Sequence, residues 1–537
     1  MNITPPIASA IEPRTRRRSP WLILAVLCAS VFIIVVDGTI VNVALPTFVR
    51  ELGATTSQLQ WIVDAYVLVF AGLLMAAGSI GDRFGRKGIL LIGMAAFGAT
   101  SVMAAMSTTP AQLIGWRAAM GIGAALIFPA TLALLVNVFT DARQRAIAIS
   151  IWAATSGLAV ALGPVTGGFL LEHFFWGSVF LVNVPVIVVA MVAIWTVVPT
   201  SRDDTIRRFD PLGIALSIAG VSVLVWAVIE GPQHGWTSTT SLVAFALAAT
   251  LLTSFIRWER RSDHPMLDVS VFTNMRFTAG SVSVAFAFFA LFGFIFMVTQ
   301  YFQFVRGYST LEAGVRTVPF ALFTGMAAPV SAKLAERFGT KAIVSAGLIS
   351  MAVGFAWTTR DTATSSYLSV VGQMFFMGGG LGLVNAPATE AIMGALPPAK
   401  AGVGSAVNDT ARELGGTLGV AIIGSLFASV YSRRLGELLT GSPVPAAAQQ
   451  VARDSVGAGV EVARRAGDQA GPQAGAAVKA AVDAAFIDGF RVGAWVSAVV
   501  VFVGAVIALR WLPSRAADGV EPHSVRLPEM REVAPVA

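Results

Sequence analysis

The 537-residue chain is 55% hydrophobic and only 12% charged, about half the charge of a soluble globular protein, so a water-soluble fold has no surface against which to bury its apolar runs. Its net charge of +7 suggests nucleic acid as a partner. However, Lys and Arg sit mainly in short connections between those runs, as a positive-inside bias requires, so none is expected. Cys28 is the single cysteine and excludes an intrachain disulfide, and no two of His173, His234, His264 and His523 have metal-ligand spacing.

The chain opens with Arg14, Arg16, Arg17 and Arg18 before an apolar run from Trp21. No small-residue cleavage site follows and more apolar runs do, so this reads as a first spanning helix with a basic cytoplasmic flank. Runs approaching the ~20 residues that cross a bilayer as helix fall at 20–46, 58–81, 87–106, 111–139, 145–171, 177–199, 211–230, 239–257, 277–303, 312–336, 341–359, 366–395, 403–431 and 488–511. An even number of spans brings both termini to one side. Arg83, Arg86 and Lys87, then Arg143 and Arg145, then Arg202, Arg207 and Arg208, then Arg257, Arg260 and Arg261, then Lys333, Arg337 and Lys341 occupy alternate connections. Both termini of this multi-pass cell-membrane protein are therefore expected in the cytoplasm. Residues 432–487 are expected as a partly ordered outer excursion, with a substrate lid as the lesser alternative.

An internal repeat organises these spans. Asp82-Arg83-Phe84-Gly85-Arg86-Lys87 is echoed by Glu336-Arg337-Phe338-Gly339-Thr340-Lys341, Phe48-Val49-Arg50 by Phe304-Val305-Arg306, Met120-Gly121-Ile122-Gly123 by Met377-Gly378-Gly379-Gly380, and Pro129-Ala130-Thr131 by Pro387-Ala388-Thr389. Four matches in nearly one register imply an all-α membrane protein of two six-helix bundles in the same orientation. The expected divisions are a basic tail at 1–19, an N-terminal bundle at 20–199, a linker with two extra spans at 200–258, a C-terminal bundle at 259–511 including the excursion, and a tail at 512–537. Parallel halves of this kind form a known transporter architecture, with the binding cavity between them near the midplane.

Three motifs carry a resemblance. Gly78-Ser-Ile-Gly-Asp82-Arg83-Phe84-Gly85-Arg86-Lys87, at the turn between the second and third spans, resembles the signature loop of the major facilitator superfamily. The resemblance implies that Asp82 latches onto the positive end of the helix starting near Gly402 in the outward-facing state. Gly157, Gly163, Pro164, Gly167 and Gly168 in the fifth span let backbones approach closely around a proline kink, and they resemble the antiporter motif of exporters. Val36-Asp37-Gly-Thr-Ile-Val-Asn42-Val-Ala-Leu-Pro46, Trp61-Ile-Val-Asp64-Ala-Tyr66, Trp176-Gly-Ser-Val-Phe180-Leu-Val-Asn183-Val-Pro185 and Asn408-Asp409-Thr-Ala-Arg412-Glu413-Leu-Gly415-Gly416 are similar to the fourteen-spanner drug:proton antiporters. That likeness covers about residues 20–511. This family commonly has glutamine before the glycine of the fourth span, where Met120 stands here.

Charges within spans are costly and are functional candidates by default. Asp37, Asp64 and Arg117 are expected to converge at similar depth and to couple protons, because burial favours a neutral carboxylate while Arg117 favours the charged one. Glu390, Asp409 and Arg412, with Glu413, are expected to form a salt-bridge gate at the cytoplasmic ends of spans twelve and thirteen. Asn42, Trp61, Tyr66, Phe128, Phe294 and Phe302 are candidates to line the substrate cavity. The counterpart of Arg117 in the second half falls near Gln373 or Met374.

The expected function is thus proton-driven export of amphipathic small molecules such as antibiotics by alternating access. The alternatives are a narrow exporter of one metabolite or self-made antibiotic and, more remotely, a non-transporting sensor. No Gly-x4-Gly-Lys-Ser/Thr phosphate loop exists for an ATP-driven pump, and no catalytic domain is visible. No enzyme activity, cofactor or metal is expected; the partners are a small-molecule substrate, protons and lipid, and the chain is expected to be a monomer.

Overall fold

A computed structural model describes residues 19–201, 210–262, 265, 267, 269–396 and 401–514. Both tails, and Arg202, Arg207 and Arg208 of the linker, lie outside the described residues. Among the described residues, fourteen helices are long and apolar enough to cross a membrane; hydrocarbon offers the backbone no partner, so each span must bond to itself. The N-terminal half comprises α1 (Pro20–Leu52), α2 (Thr56–Phe84), α3 (Arg86–Ala105), α4 (Pro110–Val138), α5 (Ala142–His173) and a sixth span broken at Val182 into α6 (Ser178–Leu181) and α7 (Asn183–Val197). The extra pair is α8 (Pro211–His234) and α9 (Thr239–Glu259). The second half comprises α10 (Met275–Gln300), α11 (Thr310–Phe338), α12 (Thr340–Thr358), α13 (Tyr367–Gly394), α14 (Ala401–Leu439), two short helices, α15 (Ala446–Asp454) and α16 (Val456–Ala470), and α17 (Pro472–Trp511).

The repeat is visible in local chemistry. α2 and its counterpart α11 both begin with a capping box, Thr55 with Gln58 and Ser309 with Glu312, which satisfies two orphan N–H groups at each start. Both end at a glycine with positive φ, Gly85 at +103° and Gly339 at +87°, a conformation open to glycine and strained for other residues. This conformation turns the chain sharply into α3 and α12.

Three boundaries differ from expectation. α1 continues through Pro46 to Leu52 instead of stopping near residue 46. α14 runs on to Leu439, and α17 begins at Pro472. The excursion 432–487 is therefore almost wholly helical rather than partly ordered. Its Ala-rich sequence favours helix, and it buries Ala452, Val456, Val462 and Ala463. Tyr431 donates to the Ala452 carbonyl at 3.1 Å, and Arg453 donates to the Ser432 carbonyl at 3.0 Å. Thr56 of the first half donates to the Asp454 carbonyl at 3.1 Å, so the excursion touches both halves.

The even number of spans brings the start of α1 and the end of α17 to one face, here the termini face. The halves meet on the opposite, far face. Gln60 of α2 donates to the Val420 and Ala421 carbonyls of α14 at 3.1 and 3.0 Å and to Ser425 Oγ at 3.2 Å. Gln303 donates to the Val43 carbonyl at 2.9 Å, and Thr310 of α11 donates to the Gly168 carbonyl at 3.2 Å. These hydrogen bonds between the halves all lie on the far face.

Candidate functional site

Arg117, seven residues into α4, is 1% exposed, and Asp37, midway along α1, is 0% exposed. They form a direct ion pair between Arg117 Nη1 and Asp37 Oδ2. Burying two charges is tolerable only when the remaining donors and acceptors are also met, and nearly all of them are. Arg117 Nε donates to the Ile62 carbonyl at 3.0 Å, and its guanidinium lies 4.2 Å from the centre of the Tyr66 ring. The Tyr66 hydroxyl donates to the Ile34 carbonyl at 3.3 Å. Asn183 Nδ2 donates to the other Asp37 oxygen at 2.8 Å and lies 3.3 Å from Ser101 Oγ. Five elements thus hold one carboxylate. Asn183 and Ser101 were not singled out for this role by sequence reasoning; the signal available was one amide in the otherwise apolar run after Phe180.

Asp64 does not join this pair. It is 0% exposed, and neither carboxylate oxygen has a hydrogen-bond partner among the described residues. The helical register explains the separation. Asp64 falls one turn from Gln60 and one turn from Leu68 along α2. Gln60 bonds to α14, and Leu68 packs with Val225, Val228 and Ile229 of α8 and Ala421 of α14. The stripe that carries Asp64 therefore faces the other half and the extra pair, whereas Ile62 offers its carbonyl to Arg117 on α4.

Between the halves lies an apolar cavity lined by Val160, Ala161, Pro164, Phe294, Val298, Phe320 and Met374, with Thr39, Asn42, Thr299 and Thr317 as its few polar groups. That composition suits an amphipathic ligand, since apolar walls bind and sparse polar groups orient. Of the expected lining residues, Asn42 and Phe294 are there. Trp61 turns to α8, where its indole donates to Glu230 at 3.2 Å. Tyr66 stacks under Arg117, Phe128 packs on Phe70 and Trp152, and Phe302 is buried against Tyr301 and Tyr308. Aromatic residues fill the bundle interiors more than the cavity, because ring burial is itself a large packing gain.

The glycine-rich fifth span is a close-packing surface. A Cβ at Gly167 would fall 2.6 Å from Ile40 Cγ1, and one at Gly168 would fall 2.6 Å from the Leu311 Cα of the other half. Gly163 sits against Thr39 in the same manner, while Gly157 has open space around it. Pro164 lines the cavity, so this helix connects the bundle core, the far-face contact and the cavity wall.

On the termini face, Arg86 N–H donates to the Ser201 carbonyl at 2.9 Å and Lys87 donates to the Trp195 carbonyl at 2.9 Å, tying the turn after α2 to the end of α7. Gly78 lies against Pro129, and Arg83 lies over the Phe84 ring at 5.4 Å. The Asp82 side chain, expected to latch onto the N-terminal end of the helix starting near Gly402, lies outside the described residues. The expected salt-bridge gate takes another form. Arg412 donates to Asn385 Oδ1 at 2.7 Å and to Thr389 Oγ1 at 3.1 Å, Asp409 accepts from Asn408 at 3.3 Å, and Glu390 is exposed. Asn385 and Thr389 thus hold the arginine through neutral oxygens.

Gln373 and Met374, the two candidates for the counterpart of Arg117, are both buried; Gln373 carries the polar contacts. It donates to Asp361 Oδ1 at 2.9 Å and accepts from Thr358 at 3.2 Å. Asp361 lies in the connection between α12 and α13. Burial holds its carboxyl above the usual range, against the opposing pull of hydrogen bonds from Gln373 and Ser365 and of Arg491 and Arg306.

Two bundles with an apolar cavity between them, and a buried ion pair within the first, have the architecture of a membrane transporter. Residues 27–420 match the model of the Major Facilitator Superfamily, and the chain belongs to that superfamily, among its drug-resistance efflux pumps, which are transporters rather than enzymes. It is 39% identical over 418 residues to the multidrug efflux pump LfrA of Mycolicibacterium smegmatis, covering 78% of this chain and 82% of that one. It is 33% identical over 513 residues to the multidrug resistance protein Stp of Mycobacterium tuberculosis, covering 95% of each. In fold it resembles the crystal structure of a bacterial homologue of the human lysosomal transporter Spinster, with a TM-score of 0.62 at 15% identity over 93% of this chain and 98% of that one.

Proposed function

We propose that this chain exports amphipathic small molecules in exchange for protons, with its termini in the cytoplasm, and that the arrangement described above is the inward-facing state. The basic residues of alternate connections support the orientation. Contact between the halves on the far face supports the state.

The observation that carries the coupling is Asp64, fully buried with two unpartnered carboxylate oxygens at the seam between α2 and α14. An ionised carboxylate in such a place costs several kcal/mol, so a proton on Asp64 is what lets α2 close on α14. Loss of that proton to the cytoplasm, once drug is bound, destabilises the closed far face and swings the protein outward. Drug leaves, Asp64 takes a proton from outside, and the far face closes again. The Asp37–Arg117 pair ties α1, α2, α4 and α7 together, so α2 moves with the rest of the first half relative to α14.

Reconstituted protein with an imposed pH gradient tests this reading. Asp64→Asn should keep ethidium binding from the cytoplasmic side, because a neutral group favours the closed far face, but should lose gradient-driven flux. Retention of wild-type gradient-driven flux by that variant would show that the coupling carboxylate lies elsewhere.

A further inference from the structure

The extra helix α8 packs against α2 of the first half and α14 of the second, and it presents a carboxylate at their seam. Glu230 Oε1 accepts the Trp61 indole N–H at 3.2 Å. Trp61 precedes Asp64 by three residues, a rise of about 4.5 Å along α2 toward the far face. Glu230 is partly exposed, whereas Asp64 is fully buried. Nearby, Gln233 of α8 donates to Ser57 at 2.7 Å and so fixes this end of α8 to the start of α2.

Resting on the reading of Asp64 given above, we propose that Glu230 is the outer proton station of the exchanger, passing protons from the external surface to Asp64. The transfer needs no added reagent. External water gives a proton to the Glu230 carboxylate, the carboxylic acid gives it through water to an Asp64 oxygen, and Glu230 returns to the ionised form. In the closed state the Trp61 indole occupies Glu230 and α14 covers Asp64. When α2 and α14 part, water reaches both carboxyls, which sit on neighbouring turns of one seam. The surroundings leave few other groups to take part. On α2 between Thr56 and Leu68 the titratable residues are Asp64 and Tyr66, and on α14 between Leu418 and Ala428, as on α9 between Thr239 and Thr250, there are none. On α8 itself His234 stands one turn further out, its Nδ1 3.2 Å from the Glu230 carbonyl. The inserted pair thus supplies a functional carboxylate as well as two more spans.

Glu230→Gln can still accept the Trp61 N–H, so it removes the titrating group and leaves the packing. In proteoliposomes with ethidium as the probe, E230Q should bind ethidium as the wild type does and sustain gradient-free ethidium exchange. Its gradient-driven flux should fall by about tenfold or more, within the range for loss of one proton-transfer group, and should lose its dependence on external pH. Glu230→Asp should restore part of both. If Asp64→Asn abolishes coupled flux while E230Q matches the wild type in rate and external-pH profile, the Glu230 proposal is overturned and the Asp64 reading stands. It is also overturned if E230Q is unaffected while Glu230→Ala fails, since Glu230 is then only an anchor for Trp61. If Asp64→Asn keeps coupled flux, the Asp64 reading falls and this proposal falls with it.

Discussion

Arg117 shows how a buried charge is made tolerable one atom at a time. Its Nη1 pairs with Asp37, its Nε bonds to the Ile62 carbonyl, and its flat face covers Tyr66. A lysine ammonium could satisfy one of these partners but not all three. Arg117→Ala leaves Asp37 buried without its counter-charge and is expected to cost about 3–5 kcal/mol, read as a lowered thermal unfolding midpoint in detergent. Replacing both members, as in Asp37→Asn with Arg117→Met, should cost less than the single change, because no lone charge remains. Asp361 gives a second residue-level expectation, with the opposite sign. Its carboxyl is held above the usual range in the folded protein by burial, so its contribution favours folding at acid pH and is lost as pH rises through its folded value. Asp361→Asn should therefore raise the unfolding midpoint at neutral pH, and the advantage should shrink as the medium is acidified. An advantage that persists unchanged in acid would contradict this account.

At the scale of elements, the fifth span is the clearest case of sequence made into mechanism. Gly168 lets α5 touch α11 across the far face, where an added Cβ would meet the Leu311 backbone. Backbone cannot yield as a flexible side chain can, so Gly168→Val must hold the two helices apart. Distances between spin labels on the far ends of α5 and α11 should lengthen in that variant, and the inward-facing population should fall. Unchanged distances would mean that the α5–α11 contact does not set the closed state. The helices of the excursion make the same point about packing. Residues 446–485 have visible helical composition, yet only burial of their apolar stripe against the halves makes them ordered, since isolated helices of that length are marginal. Similarly, α1 passes through Pro46 because its neighbours hold the helix where local propensity would end it.

At the scale of the whole molecule, length and apolar content required a membrane protein, and the repeat required two bundles, because both follow from the chain alone: hydrocarbon demands about twenty apolar residues per span, and duplicated motifs carry duplicated folds. The sequence also placed Asp37, Asp64 and Arg117 at similar depth, where charges in a low-dielectric interior are driven to meet, without saying which two would pair. What tertiary structure decided was which way each side chain turns. Asp64, Trp61 and Tyr66 lie within six residues on one helix, yet Tyr66 supports Arg117, Trp61 reaches Glu230 on the inserted pair, and Asp64 lies alone at the seam. Those directions depend on where α4, α8 and α14 settle around α2, and that is set by ridge and groove packing between distant parts of the chain. The spacing of the residues along α2 says only that they sit at different angles on one helix.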